Sequence, residues 1–527
     1  MLRRLILCVV NAYSLFNSRK EMEEKMIKKI STVALATLVC LPTLASAGAG
    51  SDRVADLEKQ MAEMSQLFNA QMKAMKDEIT ALKAQNAEMG KEVASASEAA
   101  KKGVELPEWT QNLSLGGEVT FRGYNLQNVW DFNDNTDGDN RDLFRLKGSL
   151  AATYKATDNV SAKVQVTNQT WGEGTGTGDN TDNKVFLDNA YINVKNLLNL
   201  PVEGTFGRQN VIYGSGFVLL DGQSQFGSTS IYFDGIKLRW NLTDNLMLDG
   251  MYLKDQENNT GNNYNPALAS TTGGRGDDIT LSGFYLTNKK CPITGMQQEL
   301  YALNRHDQWV GKDIWMYGAR LSDKLANGFD YSLEGALQTG DATETLDQDA
   351  YGLKLDAGYT FKDLGWKPRP YVGYALMSGD GNANDGDNEQ WDVFYGGWPQ
   401  WGDLLAWKYL NIGAGNNLNT VYGQDDYSRV TGEAVYSNLQ IATLGVGFVP
   451  FDKFTANLSY SDLQFDETTG GVDDDFGDYY QATLKYQYNK HLSFSLYAAL
   501  LDPGKAFTDQ GMDDEATEVY WETQFKF

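Results

Sequence analysis

The chain has 527 residues, a formal net charge of −25 and only two histidines, and these figures exclude several classes of protein. Nucleic acid is excluded as a partner because an acidic chain lacks the basic face that binds phosphates. Global disorder is excluded because aromatic residues make up 12% of the chain. The longest mostly apolar run spans residues 30–41, shorter than the roughly 20 residues of a transmembrane helix. What remains is a β protein rich in glycine and tyrosine.

The first 47 residues are predicted to be a leader. Lys28 and Lys29 precede the apolar run 30–41, which is followed by Ala45-Ser46-Ala47. This order of basic, apolar and small residues is typical of a secretory signal peptide, here cleaved after Ala47. Met26 is an alternative start of translation.

Residues 57–100 carry a helical pattern. Apolar or small residues recur at alternating spacings of three and four, which is typical of a heptad seam. The pattern predicts a periplasmic α-helical coiled coil and linker over residues 48–106, and a homo-oligomer assembled through 57–100. A trimer is favoured, although the methionine-rich seam does not separate two strands from three. The alternative is a stripe that packs on its own domain, and the cell wall is a further candidate contact.

From residue 107 to the C-terminus, the hydrophobic period drops to two. Leu113, Leu115, Val119 and Phe121, for example, alternate with polar residues. Runs of about ten residues recur and predict 18 strands, with 16 as the alternative. The predicted strands begin near 113, 143, 160, 185, 202, 231, 246, 278, 296, 313, 329, 350, 369, 433, 454, 479, 491 and 517.

Short turns alternate with long polar loops such as 126–141, 210–229 and 380–430. This alternation is typical of a transmembrane antiparallel β-barrel in the outer membrane, where lipid and lipopolysaccharide surround it. A C-terminal Phe527 predicts a recognition signal for barrel assembly. A periplasmic β-sandwich or propeller is the alternative. Tryptophans near strand ends are expected to form girdles at the membrane interfaces: Trp130, Trp171, Trp240, Trp309, Trp366 and Trp391.

Segment 207–217, followed by 233–238, resembles the signature segment of the alginate-export family of bacterial outer-membrane channels. Three further pairs of stretches agree with it: 318–321 with 331–334, 391–394 with 403–405, and 483–486 with 501–504. The resemblance implies an 18-stranded barrel and a passive conduit. Exporters of this family bind an anionic polysaccharide in a basic lumen, and this chain departs from a wholly basic pattern. The stretch 57–100 instead looks like the periplasmic coiled coils of some trimeric porins.

Strand alternation also predicts which side chains line the pore. If apolar positions face lipid, the residues between them face inward. The predicted pore-lining residues are Arg122, Arg145, Lys147, Lys163, Arg208, Lys237, Arg239, Arg320 and Glu334. Further acidic residues expected inside are Glu118, Asp249, Asp356 and Glu522. The lumen is therefore expected to be mixed, with a basic lean that gives a modest preference for anions.

Two loop regions carry further expectations. The 380–430 loop is too apolar to be exposed to water. Asp403–Leu410 is therefore expected to form a short helix that folds into the mouth of the barrel as a constriction. The alternative is that this loop contacts a neighbouring protomer. Its constriction residues are Trp398, Trp401, Asp403 and Trp407. Arg208 is expected to pair with an acid such as Asp234, or to contact solute.

The predicted function is an outer-membrane porin, a passive channel for ions and small hydrophilic solutes, some of them anionic. A specific polysaccharide exporter and a structural envelope tether are the alternatives. No enzyme is predicted, because neither His306 nor His491 has a partner pattern for nucleophilic catalysis. Clustered loop carboxylates lack the spacing of a calcium loop, so no metal site and no cofactor are predicted.

Overall fold

The computed structural model describes residues 108–129, 132–135, 140–173, 185–220, 233–257, 278–308, 311–382, 384–396, 400–406, 436–468 and 470–527, with scattered positions between 59 and 91. The chain divides into two compact units, Met1–Leu106 and Pro107–Phe527. The signal peptide lies outside the described residues, as do all the apolar seam positions of the coiled coil. The described positions between 59 and 91 are helical and exposed, and the coiled coil itself stays a prediction.

The second unit is an all-β barrel built from 18 long antiparallel strands. Its strands are β1 (Leu113–Gln127), β2 (Arg141–Lys155), β3 (Val160–Glu173), β4 (Val185–Val194), β5 (Val202–Gln209), β6 (Phe233–Asn241), β7 (Leu246–Glu257), β8 (Asp278–Asn288), β9 (Gln297–Asp307), β10 (Lys312–Lys324), β11 (Phe329–Thr343), β12 (Leu346–Tyr359), β13 (Arg369–Met377), β15 (Leu439–Phe448), β16 (Phe454–Gln464), β17 (Asp475–Gln487), β18 (Leu492–Pro503) and β19 (Ala516–Lys526). The two-residue β14 (Asp387–Asn388) pairs in parallel with β12 and is not a wall strand.

The first and last strands close the barrel. β1 pairs with β2 on one side and with β19 on the other, from Glu118 opposite Lys526 to Gln127 opposite Thr517. Closure leaves no unpaired edge, which is the condition for β-structure in a lipid bilayer. The prediction of 18 strands is confirmed and the alternative of 16 is wrong.

The connections differ between the two ends of the barrel. At one end, turns such as 156–159, 242–245 and 488–491 are short, as predicted. At the other end most connections are long, but β9–β10 and β11–β12 are joined by only residues 308–311 and 344–345. The alternation of short and long connections is therefore less regular than the sequence suggested. We call these the short-turn end and the long-loop end.

The wall strands carry an apolar outer face. Leu146, Val164 and Leu238 are 49%, 47% and 39% exposed, whereas Arg145 on the inner face is fully buried. Side chains of successive strand residues point to opposite faces, so this pattern is a lipid-facing surface around a polar lumen.

The tryptophan girdle is present in part. Trp240 and Trp366 are exposed near the short-turn end, where an interfacial aromatic belt is expected. The prediction for Trp391 is wrong. Its side chain is 1% exposed and stacks on Phe217 at 5.4 Å, because its loop folds inside the barrel. Trp130, Trp309 and the side chain of Trp171 lie outside the described residues.

Helices in this unit are short. Two 3-10 helices span Glu108–Asn112 and Leu197–Asn199, and the α-helix α1 spans Lys505–Thr508. Residues 403–406 are also helical, at the start of the predicted helix in the 380–430 loop. Among the residues described, no helix has the length and apolarity needed to cross a membrane.

Candidate functional site: the barrel lumen

The register of the strands decides which charged residues face the lumen. Residues directly opposite each other on neighbouring strands share one face of the sheet. Arg122 lies opposite Arg145 and Glu522, and Arg239 lies opposite Asp249. The same reasoning puts most of the predicted pore-lining residues on the inner face: Arg122, Arg145, Lys147, Lys163, Lys237, Arg239, Arg320 and Glu334.

Arg208 is the exception, and its prediction as a pore-lining residue is wrong. In the register of β5 and β6 it lies opposite Asp234, on the same face as the exposed Ile236 and Leu238. Its guanidinium binds the Asp234 carboxylate through two hydrogen bonds of 2.7 and 2.6 Å, which is the pairing expected from the sequence. The pair therefore stands on the outer wall near the long-loop end.

Two loop segments fold into the barrel and meet inside it. We call the described residues 391–396 and 400–406 together the lumenal segment, and residues 210–220 the second lumenal loop. The amide of Leu220 donates to the carbonyl of Tyr395 at 2.8 Å, and the amide of Tyr395 donates to the carbonyl of Val218 at 3.2 Å. A Cβ at Gly396 would collide with the carbonyl of Phe217, so the two backbones approach closely at a glycine.

Asp392 fastens one part of the lumenal segment to the wall. Its carboxylate accepts from Arg305 of β9 at 2.8 Å and from Lys312 of β10 at 2.6 Å. All three side chains are buried. Burial alone would raise the pKa of Asp392, but the two cations outweigh burial and hold the pKa well below its usual value. The carboxylate is therefore ionised over the physiological range.

Asp403 fastens the other described part of the segment. Its carboxylate lies 3.0 Å from Nη1 of Arg122, which also binds Glu522 at 2.6 Å. Burial raises the pKa of Asp403 above its usual value, and the nearby Arg122 and Arg145 reduce that rise without cancelling it. The fully buried Glu518 stands next to this carboxyl. Leu404, Leu405 and Ala406 follow it and are fully buried, so this short helix packs inside the barrel.

The second lumenal loop has its own contacts with the wall. The hydroxyl of Tyr213 donates to Asp249, which also binds Arg239. Burial and the charge of Asp249 raise the pKa of Tyr213, so the phenol stays protonated and can donate. The hydroxyl of Ser215 donates to Glu334 at 2.9 Å. Two of the predicted inward carboxylates, Asp249 and Glu334, thus bind this loop.

The inward cations are largely paired. Lys147 lies 3.4 Å from Glu118, Arg239 lies 2.6 Å from Asp249, and Arg320 lies 2.9 Å from Glu299. Lys163 donates to Asn189 at 2.9 Å, and Lys237 stands 6.0 Å from the centre of the Tyr213 ring. The inward carboxylates that were not predicted include Glu203, Glu299, Asp307, Asp330 and Glu518. They offset the basic lean that the sequence suggested.

Several residues that shape the lumen were also missed. Arg305 and Lys312 occupy inward positions at the ends of β9 and β10, so strand alternation could have identified them. Asp392 and Gln400 lie in a loop without periodicity and carried no such signal. Trp398 and Trp407 of the predicted constriction lie outside the described residues. Among the described residues, no group of three His, Cys, Asp or Glu side chains is arranged to hold a metal ion.

A closed antiparallel barrel with an apolar outer face and a polar, loop-filled lumen defines an outer-membrane β-barrel of the porin type. The chain belongs to the alginate export family, whose model matches residues 112–520. This confirms the family resemblance seen in the sequence.

Solved porin structures share the fold. The chain resembles OpdO from Pseudomonas aeruginosa, with 14% identity, coverage of 79% of this chain and 97% of that one, and a TM-score of 0.50. It also resembles OccAB4 from Acinetobacter baumannii, with 13% identity, coverage of 79% and 98%, and a TM-score of 0.50. A comparison with curated protein sequences finds no match.

Proposed function

We propose that this protein is a passive diffusion channel of the outer membrane for ions and small hydrophilic solutes, and that it is not an enzyme. The observation that carries the proposal is the lumenal segment, which enters the barrel and is bound to opposite parts of the wall through Asp392 and Asp403. A segment held at two points narrows the lumen to a fixed size. Charged and polar groups along such a constriction set which solutes pass.

Paired charges in the lumen favour a general channel over a strongly anion-selective one. Lys147, Arg239 and Arg320 each have an inward carboxylate within 3.4 Å. An ion pair has little net field at a distance, so the passing solute meets a mixed lining. Export of an anionic polysaccharide is the second candidate, and family membership favours it.

Current through a planar lipid bilayer tests the channel directly. The mature protein, purified from the outer membrane, should produce stepwise current in potassium chloride. A salt gradient across the same bilayer then gives the reversal potential, and we expect only weak ion selectivity. A strong preference for anions would favour the exporter, and a complete absence of steps would favour a structural tether.

We further propose that residues 57–100 assemble the protein into an oligomer, with a trimer favoured, on the periplasmic side. The heptad seam in the sequence supports this, as does the helical state of the described positions between 59 and 91. Deleting 57–100 should abolish the oligomer and leave a folded barrel, because β1 and β19 close the sheet without it. A truncated protein that still migrates as an oligomer would show that the barrel itself is the assembly device.

A further inference from the structure

A polar cavity of about 210 Å³ lies between the lumenal segment and the barrel wall. Residues 400–402 form one side, and strands β12, β13, β15, β16 and β17 form the other. We call it the wall cavity. The inward side chains that give it its chemistry are Lys354, Asp356, Asn457, Ser459, Gln481 and Thr483.

Two amide side chains in the wall cavity each have one polar atom that makes no hydrogen bond within the described part of the chain. Asn457 donates from Nδ2 to the hydroxyl of Tyr371 at 2.9 Å, and its Oδ1 accepts nothing from these residues. Gln481 accepts through Oε1 from the hydroxyl of Tyr497 at 3.0 Å, and its Nε2 donates to none of them. One acceptor and one donor are therefore left to face a guest molecule.

Three more polar groups add to this set. The hydroxyls of Ser459 and Thr483 and the carboxylate of Asp356 make no hydrogen bond or ion pair with other described residues. All three are half-buried on the cavity wall. Polar groups at such sites usually have partners, so their arrangement suits a ligand that both donates and accepts hydrogen bonds at several points.

The charge of the wall cavity is balanced. Lys354 and Asp356 are its two charged side chains. Nζ of Lys354 donates to Oε1 of Gln400 at 2.6 Å and lies 5.6 Å from the centre of the Trp401 ring, so this cation is already engaged by the lumenal segment. A site with no net charge and many hydrogen-bonding groups favours a neutral, polyhydroxylated solute over an ion.

The size of the wall cavity limits the ligand further. Its volume of about 210 Å³ is below the roughly 300–1,000 Å³ of sites for drug-sized molecules. The backbone at Gly402 is held against the wall in a left-handed conformation with φ of 116°, where a Cβ would collide with Tyr479 and Gln481. One sugar ring matches a space of this size.

We propose that the wall cavity is a binding subsite for a single neutral sugar ring, held by Asn457, Ser459 and Gln481, at which a sugar pauses during passage. The binding part stands on the cavity alone, and the passage part rests on the proposed channel function.

Calorimetric titration of the purified full-length protein in detergent, with D-glucose as the probe, tests the binding part. We expect saturable binding to the wild type and about tenfold weaker binding to Gln481→Met and to Ser459→Ala, since each removes hydrogen-bonding groups. Thr287→Val, which changes an inward hydroxyl on β8 outside the cavity, is the matched control and should bind as the wild type does. Retained heat-modifiable migration on gels shows that each variant is folded.

Two charged probes test the class of ligand. Sodium gluconate, an anion of similar size, and glycine, a zwitterion, should each bind at least about tenfold more weakly than glucose. Absence of saturable glucose binding, equal affinity in both cavity variants and the wild type, or tighter binding of either charged probe would overturn the proposal.

Bilayer recordings on the same preparation separate this proposal from the channel itself. Current steps that glucose reduces in the wild type, and reduces less in Gln481→Met, support both. Current steps without glucose binding would overturn the subsite and leave the channel. Glucose binding without current steps would overturn the channel and the pausing step and leave the binding site.

Discussion

The guanidinium of Arg122 on β1 and the carboxylate of Asp403 in the lumenal segment form an ion pair of 3.0 Å, with side-chain exposures of 1% and 2%. The two residues are 281 positions apart in the chain. The pair joins the first wall strand to a loop that follows β13, so it ties the position of the lumenal segment to the closure of the barrel. Removing Arg122 would take the ion-pair partner from the buried Asp403 carboxylate, which is destabilising, whereas removing Asp403 would leave Arg122 bound to Glu522.

Docking of the lumenal segment is expected to strengthen as the pH falls, through Asp403. The raised pKa means that this carboxyl binds its proton more tightly when docked than when released into water. Docking therefore gains stability on acidification and loses it as the pH rises through the docked pKa. Open-channel conductance should decrease as the pH is lowered, and Asp403→Asn should remove most of that change. Asp385→Asn, in an exposed loop, is the control and should behave as the wild type does. The same pH response in Asp403→Asn would contradict this assignment.

The contribution of Asp392 to docking of the lumenal segment is expected to be constant at neutral and mildly acidic pH. Its lowered pKa means that its contribution is fully present above the unfolded pKa of about 3.9 and is lost only as the pH falls through the lower folded value. Asp392→Asn should weaken docking by about 1.5–3 kcal/mol, because an amide does not replace the charge-assisted hydrogen bonds that the carboxylate accepts from Arg305 and Lys312. Single-channel recordings should show larger or noisier openings to the same degree at neutral and at mildly acidic pH. Recordings that match those of Asp387→Asn, which changes an exposed residue of β14, would show that this anchor is dispensable.

Ion selectivity is expected to depend on the inward cations. Neutralising Arg145, Lys147 and Arg239 together removes the ion pairs Lys147–Glu118 and Arg239–Asp249, and Glu118 keeps only its pair with Lys526 at 3.4 Å among the ion pairs of the described residues. The permeability ratio of potassium to chloride should rise by at least about twofold, because charges close to the pore act through a low-dielectric wall. The reversal potential in a salt gradient measures it. Arg208→Gln removes a cation from the outer wall and should leave the reversal potential unchanged. A shift in that control would mean that surface charge, rather than the lumen, sets selectivity.

Gly396 is expected to control the contact between the two loops inside the barrel. Gly396→Ala places a methyl group against the carbonyl of Phe217 and should destabilise the contact by about 1–3 kcal/mol. The released loops should increase the mean conductance and its noise. Gly148→Ala on β2 adds the same methyl group where nothing lies within 4 Å, and it should leave the channel unchanged. Equal recordings from the two variants would show that the loops meet without constraint.

The terminal Phe527 is expected to direct assembly rather than hold the barrel together. Its backbone pairs with Gly117 at 3.0 and 3.1 Å, while its side chain is 54% exposed. Phe527→Ser should lower the yield of folded protein in the membrane fraction without lowering the thermal stability of the protein that does assemble. Tyr488→Ser, an aromatic with 55% exposure in another strand connection, is the control. A normal yield of Phe527→Ser would rule out the signal.

The wall of the barrel could be predicted from the sequence because the residues of each strand show by themselves which side chains face lipid. Lipid covers one face of every strand, so apolar and polar residues alternate along it, and the register of β6 keeps Lys237 and Arg239 inside as that alternation predicts. The predicted strand starts agree with the structure within a few residues at most positions. The largest difference is β15, predicted near 433 and beginning at Leu439, after a long loop with no period of two.

The contents of the lumen were decided only by the tertiary structure. Trp391 was expected at the membrane interface and lies inside the barrel, and Arg208 was expected inside and lies on the outer wall. Near the ends of strands the chain leaves the apolar zone of the membrane, so a charged residue is tolerated there on either face of the wall. The residue type therefore does not show whether the side chain faces the lumen or the outside. Arg122 had an inward position in the sequence, but its partner Asp403 could be found only when the barrel closed and the loop folded into it. Local periodicity thus determined the wall, and contacts between distant residues determined how the lumen is filled.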